Sequence, residues 1–110
     1  MADYLLQITY TKAAFTVFMT NPQDRTEMVN QAIESLGGKM HGFWFAFGEN
    51  DVIGIIEMPN NIAAAAFSIA LSAGGAVASI KTTPLLKIAD GMKAMKKAAA
   101  CDYHPAVKAG

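Results

Sequence analysis

The side chains best suited to chemistry lie in and beside one stretch, Phe43 to Asn60, which reads FWFAFGENDVIGIIEMPN. Asp51 and Glu57 are two of its carboxylates, Trp44 is its tryptophan, and His41 lies just before it. A carboxylate or an imidazole beside an aromatic wall can act as a general base when its surroundings move its pKa toward neutrality. Asp51, Glu57 and His41 are therefore the candidate catalytic residues.

Each candidate also has a structural interpretation. Asp51 could accept hydrogen bonds from backbone amides around a turn, and Glu57 could pair with a Lys or Arg at a sheet edge. His41 could bond to backbone or water at a strand end. Six residues along one extended strand would separate Asp51 from Glu57 by about 20 Å, so the two could not act jointly within one subunit.

The sequence carries no recognised metal or cofactor motif. It has no P-loop, G-x-S-x-G, H-E-x-x-H or G-x-G-x-x-G pattern. The segment Cys101-Asp102-Tyr103-His104 holds a thiol, a carboxylate and an imidazole, but it lacks the second Cys/His cluster that would complete a zinc site. We predict no metal site, no cofactor, and a loosely held tail from Asp102 to Gly110.

Composition limits the function classes. The chain has 110 residues, 53% hydrophobic and 16% charged, with a formal net charge of zero. Without a basic stripe we predict no nucleic-acid partner, and the scarcity of charge predicts surface that a partner covers. The single cysteine cannot form an internal disulfide and indicates a cytoplasmic location.

These residues belong to one predicted domain, with a core at 3–86 and a C-terminal helix and tail at 87–110. Alternation and turn residues predict strands at 3–11, 39–47, 51–58 and 76–86. Helical spacing predicts helices from an Asn21 N-cap with Pro22 at the first position, and over 62–73 and 88–100. Ile62 to Ile80 has no charge, but its Ala and Gly content favours a helix followed by a strand over a membrane span.

This order, β-α-β-β-α-β plus a C-terminal helix, is the ferredoxin-like pattern. It predicts an α+β sandwich with a four-stranded antiparallel sheet and both crossover helices on one face. Alternation within the hairpin then divides its residues between the two faces. The helix side would receive Phe47 opposite Val52, Phe45 opposite Gly54 and Phe43 opposite Ile56, and His41 shares the parity of this phenylalanine set.

The opposite face is the candidate binding surface. Trp44, Ile53, Ile55, Glu57 and Asp51 share its parity, and they leave an apolar patch that needs a cover. The simplest way to cover this apolar patch is a two-fold dimer in which a second subunit packs sheet to sheet. The ligand-binding candidates combine that patch with polar groups of the first and fourth strands: Trp44, Gln7, Thr9, Ile53, Ile55 and Lys81.

Residues from Tyr4 to about Thr83 resemble the GYD-domain family of small bacterial and archaeal proteins. The resemblance rests on Tyr10-Thr11, Arg25, Leu36-Gly37-Gly38-Lys39 and the stretch from Trp44 to Pro59. Within that stretch Gly48, Asn50-Asp51, Glu57 and Pro59 occupy motif positions, and Asn50 stands where the signature tyrosine would be. The resemblance implies a dimeric α/β barrel built from ferredoxin-like subunits, and it implies no particular activity.

Three functions are consistent with the sequence. The first is a homo-oligomeric protein that binds a small apolar or aromatic ligand at the sheet face, either between sheet and helices or at the dimer interface. The second is an enzyme of the cofactor-independent monooxygenase or isomerase type. The third is a structural assembly subunit.

Overall fold

The computed structural model describes residues 1–106. Eight elements follow one another in this order: β1 (Ala2–Tyr10), α1 (Lys12–Thr20), α2 (Thr26–Ser35), β2 (Lys39–Phe45), β3 (Val52–Met58), α3 (Asn61–Ala73), β4 (Val77–Leu85) and α4 (Ile88–Ala99). The predicted tail is exposed and free of helix and strand from Asp102 to Ala106. Its last residues, 107–110, lie outside the described part of the chain.

The strands form one antiparallel sheet in the order β2-β3-β1-β4. Helices α2 and α3 pack on one face of it, α2 against β2 and α3 against β3 and β4. This is the predicted ferredoxin-like α+β architecture, and the run from Ile62 to Ile80 is a helix and a strand as expected. No helix among residues 1–106 is both long enough and apolar enough to cross a membrane.

The core lies between the sheet and helices α2 and α3. Alternate residues of β1 and β3 point into it, so the burial of β3 alternates strictly from Val52 to Met58. The buried cluster joins both layers: Tyr4, Leu6, Ile33, Ile56, Met58, Ala64 and Phe67. Burying such side chains contributes about 1.5–3 kcal/mol each, which fixes the face that each strand presents to the helices.

Helix α1 was not predicted from the sequence. Its residues, KAAFTVFMT, include β-branched and aromatic types with low helix propensity, and its cap was not predicted either. The Thr11 side chain accepts a hydrogen bond from the Ala14 amide at 3.1 Å, which is the usual N-cap arrangement. Because α1 occupies Lys12–Thr20, Asn21 is its C-cap, and the prediction that Asn21 caps the next helix was wrong.

The hairpin register also differs from the prediction. Phe45 pairs with Val52 and Phe43 with Gly54, a shift of two residues that keeps each side chain on its predicted face. Strand β2 ends at Phe45, so Phe47 lies beyond the sheet and is 96% exposed, and Phe45 is 70% exposed. These two phenylalanines are therefore not core residues, because no helix covers this end of edge strand β2.

Helix α4 stands apart from the body of the protein. None of its residues is buried, and the molecule measures 56 Å along its longest axis. The radius of gyration is 17.8 Å, against about 13 Å for a compact chain of this length. The exposed helix carries Ile88, Met92 and Met95 on one side, an apolar stripe that residues 1–106 leave uncovered.

Candidate functional site

The predicted binding surface forms the sheet face opposite the helices, here called the open face. Trp44 pairs with Ile53, which pairs with Gln7, which in turn pairs with Lys81. One row of side chains thus crosses all four strands, and the ligand-binding candidates Trp44, Gln7, Thr9, Ile53, Ile55 and Lys81 share the face. The Trp44 indole is 55% exposed and lies over Gly42, where an added Cβ would collide with it.

His41 lies on the open face, not on the helix side as its parity predicted. The register between β2 and β3 shifts between Met40 and Gly42, so His41 is the extra residue of a β-bulge. A bulge interrupts alternation and re-aims one side chain. The His41 Nε2 atom lies 3.6 Å from Asp3 Oδ1 and 3.8 Å from Glu57 Oε2.

Asp51 has a structural role. Its Oδ2 atom accepts a hydrogen bond from the Tyr10 amide at 2.9 Å, and its own amide donates to the Ile8 carbonyl at 2.8 Å. These bonds join the hairpin turn to the end of β1. Capping of a backbone amide was the structural alternative for Asp51, although the amide belongs to a residue far away in the sequence.

A pocket lies on the helix side, between α1, the α1–α2 loop and the exposed end of β2. Its volume is about 400 Å³, and its lining is mainly apolar. Aromatic rings from three elements form its walls: Tyr10, Phe15, Phe18, Phe43 and Phe45. Trp44, one of the predicted ligand-binding residues, belongs to this lining, whereas the candidate catalytic residues His41, Asp51 and Glu57 do not.

Tyr10 belongs to the lining of this aromatic pocket. Its ring makes edge contacts with Phe15 and Phe18, at centroid distances of 5.8 and 5.2 Å. Burial raises the pKa of the Tyr10 phenol, the nearby Arg25 charge opposes this, and Asp51 adds to it. The phenol therefore keeps its proton at neutral pH and can donate a hydrogen bond into the pocket.

Arg25 supplies a positive charge to the same lining. Its guanidinium donates to the Gln23 side-chain oxygen at 3.4 Å and to the Met28 sulfur at 2.9 Å, and a thioether is a weak acceptor. No carboxylate among residues 1–106 lies within 4.0 Å of it. Asp24 also lines the pocket, and hydrogen bonding to Thr26 lowers its pKa.

Comparison with known proteins gives one family. The model of the GYD domain matches residues 4–96. The chain belongs to the GYD-domain family. The resemblance noted in the sequence is thus confirmed, and the match extends past Thr83 into α4. No curated protein and no solved structure matched this GYD domain.

The pocket of this GYD domain was missed in the sequence because its main wall is the unpredicted helix α1. A signal was present: Phe15 and Phe18 stand three residues apart, the spacing that places two side chains on one side of a helix. Tyr10 and Arg25 were noted only as parts of the family resemblance. If α1 had been predicted, the side chains of Tyr10, Phe15, Phe18 and Arg25 could have been assigned to one site.

Proposed function

We propose that this GYD domain is a homo-oligomeric binding protein for a small aromatic ligand that carries an acidic group. The observation that carries the proposal is the aromatic pocket of about 400 Å³ with Tyr10 and Arg25 in its lining. Small-molecule sites combine a mainly apolar wall with a few well-placed polar groups, and this pocket has that composition.

The polar groups specify the ligand's chemistry. The protonated Tyr10 phenol offers a donor. The Arg25 guanidinium, which among residues 1–106 donates only to Gln23 and the Met28 thioether, offers a charge that a carboxylate or sulfonate can approach. A charge-assisted hydrogen bond contributes about 1.5–3 kcal/mol. Stacking on Phe15, Phe18 and Phe43 would hold the ligand's aromatic body.

Oligomer formation is supported by two apolar surfaces. The open face carries Trp44, Ile53 and Ile55 at its centre, and α4 carries Met92 and Met95 away from the body. A second copy that covers the open face removes this area from water, at about 25 cal/mol per Å². Two-fold pairing is the commonest symmetry for such self-association.

The binding test uses 8-anilinonaphthalene-1-sulfonate, an aromatic anion whose fluorescence rises in apolar surroundings. Two matched variants each remove one positive charge: Arg25→Gln in the pocket and Lys81→Gln on the open face. We expect Arg25→Gln to weaken binding about tenfold or more and Lys81→Gln to leave it unchanged. Binding that is insensitive to Arg25→Gln, or that depends on Lys81, would place the ligand elsewhere and contradict the pocket assignment.

Catalysis is not the function that this geometry favours. His41 and Glu57 lie on the open face, and the Asp51 carboxylate is occupied by the Tyr10 amide. A structural assembly subunit shares the proposed self-association but would bind no aromatic anion in the pocket. The same fluorescence titration therefore separates the two functions.

A further inference from the structure

Three strands bring a mixed set of metal-ligating atoms together at one end of the open face. Asp3 belongs to β1, Glu57 to β3 and His41 to the bulge in β2. Asp3 and Glu57 are direct cross-strand partners, and the bulge turns the imidazole toward both. One donor atom from each of the three residues lies within 4.8 Å of the other two.

The spacing of these donors is close to that of a coordination shell. Ligand atoms at about 2.1 Å from one Zn²⁺ ion lie about 3.4 Å apart in a tetrahedral site. The imidazole nitrogen lies 3.6 and 3.8 Å from the two carboxylate oxygens. The three side chains are 29 to 41% exposed, so an ion can reach them from solvent.

The charge of the set also suits a cation. Two carboxylates stand side by side, and among residues 1–106 no Lys, Arg or terminal amine lies within 4.0 Å of either one. Lys39 pairs with Glu57 in the backbone register, yet its ammonium group forms no ion pair with it. The imidazole is the single basic group beside them in this part of the chain.

We propose that Asp3, His41 and Glu57 form a binding site for a divalent transition-metal ion. One nitrogen and two oxygen ligands favour ions such as Zn²⁺ that accept imidazole, and they select against Mg²⁺, which prefers an all-oxygen shell. Three protein ligands leave at least one position open to water or to a bound molecule. All three ligands come from one chain, and none of them lines the aromatic pocket.

The chain contains an internal control for nonspecific metal binding by an exposed histidine. His104 lies 3.0 Å from Asp102, and both side chains are 92% exposed. This pair comes from one short segment and has the neighbouring free thiol of Cys101. A nonspecific affinity of Zn²⁺ for exposed His, Cys and Asp side chains would appear there first.

The test is calorimetric titration of Zn²⁺ into the full-length, chelator-stripped protein carrying Cys101→Ser. We expect one Zn²⁺ per chain, an affinity weakened about tenfold or more by His41→Ala, and no change with His104→Ala. Asp3→Asn and Glu57→Gln should weaken binding as well, because each keeps its shape and loses its charge. Circular dichroism of every variant checks that the fold is intact.

Three results would overturn the site. One is the absence of saturable Zn²⁺ binding at millimolar metal, and another is binding that survives His41→Ala but is lost with His104→Ala. The third is displacement of Zn²⁺ by an equal concentration of Mg²⁺, which would mean that the carboxylates alone hold the ion. The Arg25→Gln variant should bind Zn²⁺ normally, so failure of the pocket proposal and failure of the metal site can be told apart.

Discussion

At the scale of single residues, the connection from α2 to β2 passes close to β3 and to Ile33 at Gly38. A Cβ at Gly38 would lie 2.6 Å from the Glu57 carbonyl oxygen and 3.0 Å from Ile33 Cγ2. We expect Gly38→Ala to lower the free energy of unfolding by about 1–3 kcal/mol, as overpacking usually does. Urea denaturation measures this, with Gly48→Ala as the control because a Cβ there meets no atom within 4 Å. Equal stability of the two variants would contradict the packing described.

Tyr10 should make stability depend on pH in the alkaline range. Burial raises the pKa of its phenol above the ordinary 10.0, so the folded state holds the proton more tightly than the unfolded chain does. The resulting stability is complete below pH 10 and is lost as the pH rises through the raised pKa. We expect the wild-type free energy of unfolding to fall relative to that of Tyr10→Phe above about pH 10.

Absorbance titration gives the direct readout for Tyr10. The difference between wild type and Tyr10→Phe isolates the phenolate of this residue. A midpoint above the ordinary tyrosine value is expected, and a midpoint at or below it would mean that the ring is not buried between Phe15 and Phe18.

Side-chain alternation could be read from the sequence, but the positions of irregular residues could not. Period-two alternation correctly placed Trp44, Ile53, Ile55 and Glu57 on one face. It failed for His41, because a bulge depends on which residue of the partner strand stands opposite, and that information is not local. The metal-ligating set therefore emerges only in three dimensions.

At the scale of elements, helix α3 begins at a side-chain cap that can be tested. Asn60 Oδ1 accepts a hydrogen bond from the Ala63 amide at 2.9 Å. We expect Asn60→Ala to cost about 1 kcal/mol of unfolding free energy, the usual value for an N-cap. Asn21→Ala is the matched control, because Asn21 caps α1 through its backbone amide, which alanine retains. A cost for Asn21→Ala as large as that for Asn60→Ala would contradict these assignments.

The elements themselves were largely predictable. Strands β1 to β4 and helices α2, α3 and α4 all appear in the predicted order, because strong periodicity and Gly or Asn punctuation mark them. Helix α1 could not be predicted, because Phe15, Thr16, Val17 and Phe18 are equally typical of a strand. Without this helix, Asn21 was assigned as the cap of the wrong helix and the pocket was not predicted.

At the scale of the whole molecule, the open face is the surface that a second copy would cover. We expect Ile53→Asp, at the centre of that face, to weaken self-association at least about tenfold by burying an unpaired charge. Ile69→Asp is the matched control, since Ile69 lies on helix α3 and is 68% exposed. Light scattering over a dilution series measures both. If Ile69→Asp dissociates the oligomer and Ile53→Asp does not, the interface lies on the helical layer and not on the open face.

Native mass spectrometry of the freshly purified protein tests the oligomer and the bound ligand in one experiment, because mass reports stoichiometry and bound ligand together. We expect a species at twice 11.7 kDa, or a higher multiple, with a small-molecule adduct that Arg25→Gln weakens. A clean monomer at micromolar concentration that carries no adduct, before or after addition of an aromatic acid, would contradict this expectation.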